Sequence, residues 1–252
     1  MQSSKPRGGC LKFTAKHGNL LYYSRMSRYK PATDPKAEFE KTLDALIHLL
    51  LTAKGHLTIG RGVGKMITDE PEISHAGPTF WALTIYAHFD AAQLLAFKLY
   101  DKRPETITIE RLLALAEANP QIFPHSTVAQ VSAVVKTARY QIAGLEAPLK
   151  RIHAKRNRVI AHLEQTAVHD PAKVEAATRV TFSDLNQVFF FAEGILNELA
   201  GAFRDTAAGF DLVGGTDYEV VGDWIVRGKC AHLKKYEAEF GPWEGSRPKK
   251  YP

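Results

Sequence analysis

Two long apolar seams with helical spacing limit most strongly how this chain can fold. In each seam, apolar residues recur at alternating steps of three and four, which places their side chains on one face of an α-helix. The first seam is Val128, Val131, Val135, Ala138, Ile142, Leu145 and Leu149, and the second is Phe182, Leu185, Phe189, Ala192, Leu196, Leu199 and Phe203. Alternating strand patterns are scarce, so the seams predict an all-α antiparallel helical bundle.

The start of the first helix has a clear signature. Asp34 can act as N-cap and Pro35 can occupy the first helical position. An apolar face then continues to about Gly55, where we expect the helix to end. The following segment from Ile59 to Gly64 contains three glycines and predicts a flexible loop. It lacks the spacing of a phosphate-binding loop.

Further boundaries complete a bundle of about five helices. Pro78 precedes a predicted second helix from Phe80 to about Tyr100, and Thr108 is expected to cap a third over residues 109–118. The first seam predicts a fourth helix with a kink at Pro148. The second seam predicts a fifth helix, with Ser183 as its cap.

The chain divides into three parts. Residues 1–33 are predicted to be a disordered tail, or to lie upstream of a true start at Met26. Residues 34–204 form the predicted helical domain, and residues 205–252 a C-terminal extension. Within the extension, Asp223 to Tyr236 predicts a further short helix, although glycines weaken the pattern before it.

The positive charge of the chain is unevenly distributed. The net charge is +6 and the isoelectric point about 9.2, which is typical of proteins with polyanionic partners. Residues 1–30 contain seven lysines and arginines and no acid, and residues 246–252 contain three. The remainder, residues 31–245, has 23 basic and 27 acidic residues, so the part of the chain between the two basic termini is slightly acidic. A nucleic-acid partner must therefore be recognised by a local patch.

Other functional classes are disfavoured by what the chain lacks. Its two cysteines, Cys10 and Cys230, exclude a disulfide scaffold and a zinc site of the common spacings, and they fit a reducing cytoplasm. The apolar run from Thr79 to Phe97 contains three strongly polar residues, so we expect a buried helix and no membrane contact. We expect no metal and no cofactor.

The most unusual stretch is a basic cluster at residues 150–158. It contains five lysines and arginines, and no acidic residue follows until Glu164. The members are Lys150, Arg151, Lys155, Arg156 and Arg158, with His153 among them. A solvated helix face is one interpretation, and a phosphate-binding site is the other.

Helix geometry favours particular members of the cluster. Arg158 and His162 are four residues apart and share one helix face. Arg156 and His162 lie about 240° apart around a continuous α-helix. Arg156 can join His162 only if the helix starts, bends or kinks near Asn157. An arginine, an amide and an imidazole brought together suit a phosphodiester, because guanidinium pairs with phosphate oxygens and imidazole exchanges protons near neutral pH.

The stretch Arg156-Asn157 followed by His162 resembles the motif of HEPN domains, in which histidine follows arginine after four to six residues. The sequence RNRVIAH, residues 156–162, is similar to that of the abortive-infection AbiU-type branch. Supporting resemblances are Phe80-Trp81, Leu83-Thr84, Leu99-Tyr100-Asp101-Lys102 and the stretch from Thr108 to Leu113. The resemblance covers residues 34–204.

The resemblance implies a HEPN-like helical bundle and a metal-independent endoribonuclease of a toxin–antitoxin or antiphage system. It implies a homodimer, an RNA substrate and a cognate antitoxin protein as partners. It also implies that Arg156 stabilises phosphate, Asn157 supports it and His162 acts as acid or base. Arg158 stays open as the primary arginine, and Lys150, Arg151, His153 and Lys155 are expected to support RNA binding. A non-catalytic module that binds RNA, nucleotide or protein, and the inactive half of a toxin–antitoxin pair, are the alternatives.

Overall fold

A computed structural model of the chain describes residues 34–103, 105–160, 168–210 and 217–241. Within these ranges the regular structure is helical and no strand occurs, which confirms the all-α prediction. The α-helices are α1 (Pro35–Asp69), α2 (Pro71–Ala76), α3 (Pro78–Leu99), α4 (Ile109–Ala118), α5 (Val128–Gly144), α6 (Glu146–Lys155), α7 (Pro171–Thr178), α8 (Phe182–Arg204) and α9 (Asp217–Phe240). A 3₁₀ turn spans Pro120–Ile122 and a π-helical turn spans Arg156–Ile160. The predicted tail, residues 1–33, lies outside the described residues.

Helix α1 begins as predicted but ends much later. The Asp34 side chain accepts a hydrogen bond from the Lys36 N–H at 2.9 Å, which confirms the N-cap. The predicted end near Gly55 is wrong, and so is the predicted loop from Ile59, because α1 continues for 35 residues to Asp69. At buried Gly60, an added Cβ would lie 3.2 Å from the Cβ of His88 on α3. Gly60 therefore allows α3 to approach α1 closely, and this packing offsets its low helix propensity.

The predicted third helix is confirmed in its boundaries. The Thr108 hydroxyl accepts from the Arg111 N–H at 3.2 Å, and α4 ends at Ala118, before Asn119 and Pro120. The second predicted helix is also confirmed, as α3.

The predicted kink lies between α5 and α6. Helix α5 ends at Gly144 and α6 begins at Glu146, with the fully buried Leu145 at the junction. A proline ring clashes with the carbonyl four residues before it, which for Pro148 is that of Gly144. The kink therefore precedes the proline that causes it.

The start of α8 corrects a prediction. Thr181, and not Ser183, is the N-cap: its hydroxyl accepts from the Asp184 N–H at 3.1 Å. The Asp184 carboxylate accepts from the Thr181 N–H at 2.9 Å in return. This reciprocal capping box fixes Asp184 at the first turn of α8.

The main core lies between α1, α3, α4, α5 and α8, the five helices of the predicted bundle. Both seams point into it, except that their first residues, Val128 and Phe182, are exposed. Phe39 of α1 lies in an aromatic cluster, with its ring centroid 4.8 Å from that of Phe123 and 4.9 Å from that of Phe203. These contacts join α1 to the end of α8.

A second, smaller cluster lies where α9 packs on α1 and α2. Its buried members are Val63, Ile73 and Trp81, and the Trp81 indole N–H donates to the Ile73 carbonyl at 2.9 Å. Helix α9 is longer than the segment predicted within the C-terminal extension. Its Gly222 faces Met66, whose sulfur an added Cβ would overlap. The C-terminal extension is therefore in direct contact with the helical domain.

No helix among the described residues combines the length and the apolar character needed to cross a membrane.

Candidate functional site

The basic cluster spans the end of α6 and the π-helical turn that follows. Arg156 has helical dihedral angles, φ −56° and ψ −47°, so the helix continues past Lys155 without a break. No new helix starts at Asn157. Instead, the hydrogen-bonding pattern widens over Arg156–Ile160, an irregularity that is frequent at functional sites. His162, the residue that Arg156 would have to approach, lies outside the described residues.

Two cations of the cluster are paired with carboxylates from other helices. Arg151 Nη2 lies 2.5 Å from Asp184 Oδ1, and Lys155 Nζ lies 3.0 Å from Glu175 Oε2. Asp184 lies in the first turn of α8 and Glu175 belongs to α7, so the two pairs connect α6 to both helices. Their positive charges are compensated within the fold.

The Asp184 carboxylate reflects this pairing. Burial by itself would raise its pKa. The hydrogen bonds from Arg151 and Thr181 outweigh that effect and leave the pKa of Asp184 below its ordinary value. The carboxylate therefore stays ionised, as a stable partner of Arg151.

Arg156 is held in a different way. Its guanidinium carbon lies 4.8 Å from the centroid of the Phe97 ring, within the range of a cation–π interaction. Its Nη1 donates to the Asn157 Oδ1 at 2.8 Å. Among the described residues, no carboxylate lies within ion-pair distance of Arg156. The arginine is thus oriented by an aromatic ring and a neutral amide, and neither removes its charge.

His153 contacts the same aromatic ring. Its imidazole centroid lies 4.6 Å from that of Phe97, with the two planes tilted by 53°. Burial lowers the pKa of His153, the nearby Lys102 and Arg156 lower it further, and Asp101 opposes them. The imidazole is therefore kept neutral near pH 7.

The remaining predicted members of the cluster lie at the surface. Lys150 is exposed on α6, while Asn157 and Arg158 are exposed in the π-helical turn. The structure thus brings Arg156, Asn157 and His153 together around Phe97. It leaves Arg151 and Lys155 in ion pairs.

Sequence reasoning missed Phe97 and Lys102 as members of this site. In the sequence, Phe97 is one more apolar residue of α3. Lys102 is noted there only as the last residue of a stretch similar to the AbiU-type branch. Asp101, beside Lys102, is bound to Arg103: its carboxylate accepts from the Arg103 N–H at 3.1 Å and from Nε at 2.7 Å. No local pattern signals that Phe97 lies against His153 and Arg156, because that contact depends on how α3 packs on α6.

A metal site does not occur in the described part of the chain. Nowhere in it do three or more histidine, cysteine, aspartate or glutamate side chains lie close enough together to hold an ion. The expectation of a metal-independent site stays a prediction.

Comparison with protein families gives one match. The model of the family described as HEPN_AbiU2, AbiU2, matches residues 36–221, from the start of α1 into the beginning of α9. Comparisons with curated proteins and with solved structures found no match. The matched range covers the bundle, the basic cluster and the motif region, and it confirms the resemblance drawn from the sequence. The chain therefore belongs to the AbiU2 family of HEPN domains.

Proposed function

We propose that this HEPN domain is a metal-independent endoribonuclease of an abortive-infection or toxin–antitoxin system. The observation that carries the proposal is the setting of Arg156. A ring and an amide fix its guanidinium, and no described carboxylate neutralises it. Such a guanidinium suits a phosphodiester, which offers two oxygens in the geometry of the guanidinium fork. Family membership supports an abortive-infection role.

The reaction proposed is attack of a ribose 2′-hydroxyl on the adjacent phosphorus. A bond forms between the 2′-oxygen and phosphorus, and the bond from phosphorus to the 5′-oxygen breaks. One proton leaves the 2′-hydroxyl and one reaches the 5′-oxygen, giving a cyclic phosphate and a 5′-hydroxyl. In this scheme Arg156 stabilises the negative charge that develops on the phosphate, Asn157 holds Arg156, and His162 transfers a proton.

Two proton transfers suggest a composite site. The motif supplies one histidine per chain, whereas the reaction uses both an acid and a base. A two-fold dimer with the motif at its interface would contribute two histidines and two arginines. Full cleavage by a well-folded monomer would contradict this arrangement.

Expression in bacteria tests the proposed activity. Wild type and His162→Ala are compared, and His232→Ala, at an exposed position on α9, controls for the loss of a histidine elsewhere in the chain. We expect wild type and the control to show growth arrest and RNA fragmentation, and we expect EDTA to leave these two effects unchanged. Neither effect should occur in His162→Ala. Equal growth and intact RNA in all three cultures would refute ribonuclease activity.

The alternative, a non-catalytic RNA-binding module, is favoured by the exposed Lys150 and Arg158. It predicts RNA affinity that falls steeply with salt, without turnover. Purified protein with labelled RNA distinguishes the two functions, because only the enzyme generates cyclic-phosphate ends.

A further inference from the structure

Phe97 provides a tertiary contact to two nitrogen-containing side chains of the site. Its ring lies 4.6 Å from the His153 imidazole and 4.8 Å from the Arg156 guanidinium carbon. Phe97 belongs to α3, whereas His153 and Arg156 follow each other through α6 and the π-helical turn. With 8% of its surface exposed, Phe97 is anchored in the main core. The ring is therefore a fixed surface on which the arginine rests.

We propose that Phe97 is a positioning residue for Arg156, which sets the orientation in which the guanidinium meets an RNA phosphodiester. This inference rests on the proposed function, because it names the group that prepares the same arginine. An arginine side chain has several rotatable bonds and loses that freedom when it binds phosphate. Contact with a rigid ring before binding reduces the loss.

The two contacts of Arg156 restrict different movements. The Arg156 guanidinium carbon lies over the Phe97 ring at 4.8 Å from its centroid, and Asn157 accepts from Nη1 at 2.8 Å. A guanidinium has five N–H donors in one plane, and the described residues accept none of the others. The contacts thus restrain the centre of the guanidinium and one of its N–H groups while the other donors stay available for phosphate oxygens.

Arg151 shows how this chain holds an arginine whose role is structural. Its guanidinium is bound by the carboxylate of Asp184, which neutralises it. A carboxylate at Arg156 would compete with phosphate and repel it, whereas an aromatic face attracts the cation and leaves its charge intact. The contrast indicates that Phe97 holds Arg156 ready for an anion.

Helix α3 offers a matched control for Phe97. Phe89 lies two turns earlier, and its ring contacts that of Phe182 at 4.7 Å with a tilt of 51°, close to the geometry of Phe97 with His153. No cation lies over Phe89 among the described residues. Phe89→Leu therefore removes a similar ring contact without touching Arg156.

The test measures binding of a 2′-O-methyl RNA oligonucleotide, which cannot be cleaved by 2′-oxygen attack. We expect Phe97→Leu to weaken binding by roughly 3- to 10-fold, the range of a partly desolvated cation–π contact. Phe97→Trp keeps an aromatic face and should stay within about two-fold of wild type. Phe89→Leu should bind as wild type does. In an Arg156→Ala background, Phe97→Leu should cause no further loss, because the two residues act as one unit.

Besides wild-type affinity in Phe97→Leu, two outcomes would overturn the positioning role. One is an equal loss of binding in Phe97→Leu with and without Arg156. The other is an equal loss in Phe97→Leu and Phe97→Trp while thermal melting shows both to be folded. Binding is measured without turnover, so the two proposals fail separately. A wild-type protein that binds RNA without cleaving it refutes the ribonuclease alone, and wild-type affinity in Phe97→Leu refutes the role of Phe97 alone.

Discussion

The two halves of the basic cluster differ in what surrounds their charges. Arg151 and Lys155, on α6, are paired with Asp184 and Glu175. Arg156, the next residue after α6, rests on Phe97 and Asn157 instead. Adjacent cations of similar chemistry thus have different surroundings, since the first two pair with carboxylates of other helices and the third has no carboxylate partner among the described residues. The number of basic residues in a cluster therefore overstates the charge available for binding.

The largest expected difference between the halves is in turnover. Arg156→Ala should lower kcat for RNA cleavage by a factor on the order of 10² to 10³, the usual cost of removing one charge-stabilising donor. Arg151→Ala should change kcat by less than about 3-fold, because its partner is structural. Cleavage kinetics on one RNA substrate measure both. Equal losses would mean that the ion-paired half also binds the reacting phosphate.

The free energy of unfolding should show the opposite order, with the larger loss in the ion-paired half of the cluster. Asp184→Ala removes both the reciprocal bond of the α8 capping box and the partner of Arg151, so we expect a loss of about 2 kcal/mol in the free energy of unfolding. Arg156→Ala should cost about 0.5 to 1 kcal/mol, in the range of a cation–π contact that is only partly desolvated. Denaturant titration measures the two. If Arg156→Ala is the more destabilising variant, Arg156 is a structural residue and the comparison fails.

The salt dependence of RNA binding sharpens the same contrast. Each phosphate contact adds about 0.7 to the slope of log affinity against log salt for single-stranded nucleic acid. Arg156→Ala should reduce the slope by about that amount, whereas Lys155→Ala, already paired with Glu175, should leave it nearly unchanged. Binding isotherms at several salt concentrations provide the slopes. A similar reduction in both variants would place Lys155 on the RNA.

The smallest expected effect concerns the pH dependence of stability. Burial, with Lys102 and Arg156 nearby, lowers the pKa of His153 below the ordinary value of about 6.5. The unfolded chain therefore takes up this proton at a higher pH than the folded chain does. Stability is unaffected by His153 above about pH 7 and falls as the pH drops below 6.5.

His153→Gln should accordingly flatten the decline in melting temperature between pH 7 and pH 5. Burial likewise lowers the pKa of His88, with the neighbouring His56 adding to the effect. His88→Gln should thus remove a separate share of the same decline. An unchanged profile in His153→Gln would show that the imidazole beside Phe97 titrates alike in the folded and unfolded chains.

Local sequence signals predicted the fold best where one residue dictates the backbone. Asp34 and Thr108 cap their helices because a side-chain oxygen accepts from a nearby N–H, which local spacing reveals. Pro148 kinks its helix because a proline ring clashes with the preceding turn. Predictions failed where packing overrides propensity. Gly60 stays helical because α3 packs against it, and Thr181 caps α8 in place of Ser183 because Asp184 completes the capping box.

The sequence by itself determined the helical class, the basic cluster and the family resemblance carried by Arg156, Asn157 and His162. All three depend on residue types at short spacing. Only the tertiary structure decided which cations of the cluster are paired with a carboxylate. Asp184, Glu175 and Phe97 come from three other helices, and an ion pair or cation–π contact forms only when such groups come within a few ångströms. Distances of that kind follow from helix packing, which no short sequence pattern contains.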